Sequence, residues 1–168
     1  QGIPFQEVMD TLTQGVKGAV PAVMLLALAY SIKSLSKTMG TADYIISMSE
    51  GFLTPALLPA IIFVISAIMA FATGSSWGTF AICMPIALPL AFTFTGGELG
   101  TLVYACFGAV AGGGVFGDHC SPLSDTTVLS STGSASDHID HVQTQLPYAL
   151  CCGALAIIVY LIIGFTSL

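Results

Sequence analysis

For forty-seven residues, from 51 to 97, the chain carries no charged side chain. A single helix of that length would be about 70 Å long, more than twice the ~30 Å hydrocarbon core of a bilayer. The stretch must therefore fold back or break. The break is written at 72–78, "ATGSSWG", between "PALLPAIIFVISAIMAF" and "TFAICMPIALPLAF". Two arrangements fit: two full spans joined by a polar turn, or a re-entrant hairpin whose tip reaches the membrane interior. Non-helical backbone at that depth is tolerated only inside protein or beside a water-filled cavity.

Composition sets the solvent. The chain is 55% hydrophobic and 7% charged, against roughly 25% charged for an ordinary soluble domain. An integral membrane protein is expected, with the lipid bilayer as its first partner. Three cationic residues and a net charge of −6 exclude nucleic acid, which needs a basic face. No positively charged segment leads into a short apolar stretch at the N-terminus, and the chain begins at Gln1 without Met. A piece of a longer protein is the expectation. Cys83, Cys106, Cys120, Cys151 and Cys152 fall mostly in apolar runs and read as buried thiols at helix contacts rather than disulfides or zinc ligands.

The remaining elements follow from charge and hydropathy. Fifteen uncharged residues lie between Lys17 and Lys33, a first span completed by snorkelling lysines. Residues 34–51 carry one apolar stripe, which suits an interfacial helix or a connecting loop. Residues 99–117 form another hydrophobic stretch that ends in "GAVAGGGVFG". Its glycines weaken the helix, and Pro122 interrupts it. A broken helix is expected, with a first half over about 99–114 and a second half starting near Ser124 or Asp125. "DHIDHVQTQLPYAL" suits an interface, and 146–165 is a last span. The fold class is therefore all-α: a polytopic membrane protein with about five hydrophobic helical elements, including broken or re-entrant helices. Residues 1–168 form a single transmembrane domain, without an internal repeat. Lys33 and Lys37 lean their end toward the cytoplasm.

The densest polar chemistry is "GDHCSPLSDTT", 117–127. Broken helix ends inside a bilayer leave carbonyls that can coordinate a cation. Asp118, placed just past such an end, is the first candidate for a carboxylate that trades a proton for Na⁺. Asp125 is the second. Ser121, Ser124, Thr126 and Thr127 offer further oxygen ligands, and Thr73, Ser75 and Ser76 offer them from the other break. A buried carboxylate without a cation is driven toward its protonated form, so one group suffices for exchange. The two breaks are expected to lie together. No cofactor or resident metal is implied; Na⁺ and H⁺ are cargo.

Plainer roles stand beside these. Asp125 and Thr126 also suit a helix cap, and Asp118 a loop. His119 reads as a hydrogen-bonded loop residue before a proton relay. His138 and His141, three apart, read as part of an interfacial helix before a metal pair. Trp77 reads as core packing. An enzyme is not expected: "VFGD" has Val115 where an intramembrane aspartyl protease needs Gly, and the glycine run has no preceding strand for a nucleotide loop.

"GVFGDHCSPLSDTTVLSSTGSASDHIDHVQTQLPYAL" and "ATGSSWGTFAICMPIALPLA" resemble the signature regions of the NhaC-type Na⁺/H⁺ antiporter family, within the ion-transporter superfamily. The resemblance covers residues 72–91 and 115–150. It implies a secondary antiporter of the bacterial inner (plasma) membrane, multi-pass, with inverted repeats and broken helices. Some similar carriers exchange organic acids such as lactate and malate with Na⁺ and H⁺. Because such carriers have about ten spans or more, the chain resembles the C-terminal half, one repeat. Its implied partners are the N-terminal half and, in a homodimer, a second copy. A non-transport membrane assembly subunit and a passive cation pore are the readings outside this class.

Overall fold

A computed structural model of the chain describes residues 4–40 and 54–167. Among the described residues all regular structure is helical. α1 spans Phe5–Thr38, α2 Leu58–Thr73, α3 Ser76–Phe94, α4 Thr101–Cys120, α5 Asp125–Gly133 and α6 His138–Thr166. Three of these, α3, α4 and α6, are long and apolar enough to cross a membrane. α2, with 16 residues, is a shorter apolar helix. The polytopic all-α membrane protein expected from composition is what the chain forms.

α1 is longer than the charge-free stretch that predicts it. Its 34 residues span about 50 Å, with residues 17–33 in the middle. It packs against α3. Of the interfacial helix or connecting loop expected at 34–51, the first residues continue α1, and 41–53 lie outside the described residues.

α4 is the hub, packed against α2, α3, α5 and α6. Half of its spanning stretch is buried inside the molecule, against 17% for α6. Its buried face runs Cys106, Ala109, Val110, Gly113, Gly114, Gly117 and Cys120, the spacing of a single helical stripe. A Cβ at Gly113 would overlap the Phe63 carbonyl, and one at Gly117 the Ala67 carbonyl, both on α2. Small residues here let two backbones touch, which is how helices pack where no hydrophobic force drives them together. Around this contact Phe63 lies between Phe116 and Tyr160, at ring-centroid distances of 5.9 and 5.4 Å.

The glycine run therefore does not end the helix. α4 continues through Gly112, Gly113, Gly114 and Gly117 to Cys120, six residues beyond the expected end at 114. Packing against α2 outweighs the weak helix propensity of glycine, and in a bilayer each backbone group must find an internal partner. The break is confined to Ser121, Pro122, Leu123 and Ser124. Likewise the polar stretch 138–150 and the last span form one helix. α6 runs unbroken for 29 residues through Pro147. Asp137 caps it, accepting from the backbone N–H of Ile139 at 2.9 Å and of Asp140 at 3.2 Å. Asp137→Ala is expected to cost about 1 kcal/mol, measured as thermal stability of the protein in detergent. An unchanged melting temperature would mean that the cap contributes nothing.

Two further expectations need correction. Trp77 is exposed, edge-on to Phe80 at 6.0 Å, and is not core. Cys83, Cys106 and Cys120 are buried free thiols, but Cys151 and Cys152 are exposed. The outward face of α6 otherwise carries Leu155, Ile158, Ile162 and Phe165, an apolar surface suited to lipid or to another helix.

Candidate cation site where two helix breaks meet

Each break is a turn between consecutive helices. α2 ends at Thr73, Gly74 adopts a left-handed conformation (φ 65°), and Ser75 caps α3 by accepting from the Gly78 N–H at 3.2 Å. α4 ends at Cys120, and Ser124 caps α5 by accepting from the Thr126 N–H at 3.2 Å. The two turns pack directly on each other. A Cβ on Gly74 would stand 2.7 Å from the Leu123 carbonyl carbon and oxygen, so only glycine allows both the φ and the approach. Ser121 staples the turns together. Its fully buried hydroxyl donates to the Phe71 carbonyl at 2.7 Å and accepts from the Leu123 N–H at 3.1 Å.

At this junction sits the half-buried carboxylate of Asp118. Oδ1 accepts from the Ser124 hydroxyl at 2.7 Å, and Oδ2 accepts from the Ser76 hydroxyl at 3.2 Å. The expectation that the breaks come together is met, with a direct hydrogen bond across 42 residues. The carboxylate's setting differs from the one read in the sequence. Asp118 lies within the last turn of α4, not beyond its carbonyl end. Its partners come from the first turns of α3 and α5, helix ends that carry partial positive charge.

The other candidates separate into two groups. Ser76 and Ser124 touch the carboxylate. Thr126 reaches it through Ser124, 2.8 Å between hydroxyls. Thr127 is buried and donates to the His119 carbonyl at 3.2 Å. The hydroxyls of Ser75 and Ser121 are engaged in a cap and a staple and do not bond the Asp118 carboxylate. Thr73 is exposed and donates back to the Met69 carbonyl at 2.8 Å. Asp125 is exposed in the first turn of α5, and Ser124 rather than Asp125 is the cap. Ser121→Ala removes the hydroxyl donor from the Phe71 carbonyl. It is expected to destabilise the protein by about 1 kcal/mol, measured as thermal stability in detergent. A normal melting temperature would mean that the staple contributes nothing.

α6 supplies residues that sequence spacing did not connect to the site. Gln145 Nε2 donates to the His119 carbonyl at 3.0 Å and also meets His119 Nε2. His138 bridges the second break: Nε2 lies 2.8 Å from the Pro122 carbonyl and Nδ1 3.1 Å from the Ser131 hydroxyl. His138, His141 and Gln145, at i, i+3 and i+7, share one helical face, which is the signal that was available. Next to Asp118, the residues His119, Thr126, Thr127, Ser130, His141 and Gln145 line an open cleft of about 420 Å³.

An ionisable carboxylate held by two hydroxyls is an all-oxygen set, the donor type preferred by hard cations.

The chain matches the Na⁺/H⁺ antiporter family over residues 1–165. It is 45% identical over 152 residues to an uncharacterised protein of Haemophilus influenzae, covering 90% of this chain and 28% of that one. It is 31% identical to the arginine/ornithine antiporter ArcD of Halobacterium salinarum, over 99% of this chain and 33% of ArcD. It is 28% identical to the malate-2H⁺/Na⁺-lactate antiporter of Bacillus subtilis, over 98% and 34%. The chain thus spans about a third of the length of the curated relatives it matches. No solved structure is significantly similar to it.

Proposed function

The chain belongs to the Na⁺/H⁺ antiporter family, and on that premise we propose that it forms part of a secondary carrier in which Asp118 alternately binds Na⁺ and H⁺. The observation that carries the reading is the carboxylate at the meeting point of two helix breaks, with one hydroxyl from each. Removed from bulk water, a bare carboxylate is costly. A proton neutralises it, and so does a cation that also takes the oxygen lone pairs of Ser76 and Ser124. The two occupants compete for the same oxygens, so release of one requires binding of the other. Ser121 and Gly74 hold the two turns in register, His138 braces the second turn, and Thr127 ties α5 to the end of α4.

The remainder of the carrier completes the site and closes it from water, and the assembly resides in the inner (plasma) membrane, with a homodimer as the expected association. Relatives named for malate/lactate and arginine/ornithine exchange support a second reading, in which an organic solute travels with the ions. The test is proton movement driven by a Na⁺ jump in vesicles carrying the full-length carrier. Exchange is expected. Na⁺ flux without proton counterflow would indicate a pore, and no flux of either ion would leave an assembly subunit.

A further inference from the structure

Between α2 and α3 lies an apolar groove of about 180 Å³. Ile61 and Ile65 of α2 and Ile82 and Ile86 of α3 form its walls, and Ile65 and Ile82 remain 52% and 38% exposed. Ser66 also lines it. This serine is 1% exposed, and its hydroxyl finds no hydrogen-bond partner among the described residues. The Cys83 thiol beside it is a weak acceptor and is itself turned to Met69 Sδ at 3.7 Å.

That hydroxyl departs from the habit of the other helices. Thr73 donates to the Met69 carbonyl at 2.8 Å, Thr93 to the Pro89 carbonyl at 2.9 Å and Thr166 to the Ile162 carbonyl at 3.0 Å. A bond to the carbonyl four residues back is the ordinary way for a helix to satisfy Ser or Thr, and Ser66 forgoes it. In the hydrocarbon region no water replaces the missing acceptor, so the unpaired hydroxyl carries a desolvation cost. Lipid chains have no acceptor to offer, and a groove covered by lipid keeps that cost. A protein segment with one free oxygen removes it.

We propose that the α2–α3 groove is the face on which the remainder of the carrier docks, seating an apolar transmembrane helix that presents one oxygen acceptor to Ser66. This rests on the reading of the chain as part of a larger carrier. The chain spans about a third of the length of its relatives, so the greater part of such a carrier packs against faces left open here. The outward face of α6 is the other open face. Leu155, Ile158, Ile162 and Phe165 on it need no acceptor, and lipid covers them. The groove also lies between the two helices joined by the first break. A helix seated there braces the turn that brings Ser76 to Asp118.

The test is the thermal stability of the full-length carrier in detergent, read together with its oligomeric mass. Ile65→Trp and Ile82→Trp add bulk where this chain leaves space, so the groove's occupant is what resists them. Each is expected to lower the melting temperature by about 5 °C, the effect of overpacking. Ile158→Trp and Ile162→Trp on α6 leave it unchanged. Ser66→Ala removes a satisfied hydrogen bond and lowers it by about 2 °C. The mass stays the same throughout. Groove variants that melt no lower than the α6 variants would assign the groove to lipid and overturn the proposal. A lower melting temperature with a fall from dimer to monomer would assign it to a second copy and overturn it too. So would Ser66→Ala melting at or above the unsubstituted protein, because no acceptor then meets the hydroxyl. Na⁺-driven proton movement by the unsubstituted carrier is a separate measurement. Its absence would strike the exchange reading and leave the groove result standing, so the two failures are distinct.

Discussion

Asp118→Asn in the full-length carrier is expected to abolish Na⁺-driven proton movement in vesicles, down to the level of vesicles without carrier. The amide keeps the shape of the carboxyl and can still bond the hydroxyls of Ser76 and Ser124, which lie 3.2 and 2.7 Å away. It cannot take up a proton or neutralise a cation. Folding should therefore survive where exchange does not, and the variant should elute as the unsubstituted protein does in detergent. Asp125→Asn is expected to exchange nearly normally, because Asp125 is exposed in the first turn of α5 and the Asp118 carboxylate is held by Ser76 and Ser124 instead. Its effect is confined to the favourable placement of an acid at a helix N-terminus, about 0.3–1 kcal/mol. Normal exchange in Asp118→Asn together with a dead Asp125→Asn would reverse these roles. Normal exchange in both would remove the second break from the ion pathway altogether.

Gly117→Ala is expected to be the most damaging single methyl addition near the site. Its Cβ would overlap the Ala67 carbonyl and crowd the Phe71 N–H and the Ala70 side chain at 2.7 and 2.8 Å. Two of these three neighbours are backbone, so no side chain can rotate away. α4 and α2 would have to separate, and the same separation pulls Phe71 from the Ser121 staple and shifts Asp118, one residue on. A cost on the order of 3 kcal/mol is expected, measured as thermal stability or yield of folded full-length protein. Gly133→Ala is the control. Nothing lies within 4 Å of that Cβ, and alanine suits a helix better than glycine by up to about 1 kcal/mol. Equal behaviour of the two variants would refute the close α2–α4 contact.

The solvent, the helical class and the two breaks were legible in the sequence, because each follows from local chemistry. A forty-seven-residue uncharged run cannot remain one helix in a bilayer, and clustered Gly, Ser, Thr and Pro mark where a helix yields. A cap at Ser124 or Asp125 was legible for the same reason, but Asp125 was the better candidate in sequence and Ser124 is the cap in the fold. The end of α4 was not. Read alone, Gly112, Gly113 and Gly114 weaken a helix; in the fold they are what lets it pass, Gly113 against the backbone of α2, Gly114 against Phe80 of α3 and Gly112 against Tyr160 of α6. The roles of the hydroxyls were not legible either. Ser76, Ser121 and Ser124 are alike in sequence, yet one staples the Phe71 carbonyl while two hold the carboxylate.

What the sequence determined by itself was where this chain meets lipid, where its helices yield, and which carboxylates stand at the yielding points, since hydropathy, backbone propensity and charge are properties of neighbours along the chain. Only the tertiary structure decided that Asp118 rather than Asp125 is enclosed, that Ser76 reaches it from 42 residues away, and that Gln145 and His138 from α6 brace the second break. Those choices depend on how closely α2 and α4 approach and on which face α6 turns inward. They are set by contacts between distant segments, and no local rule encodes them.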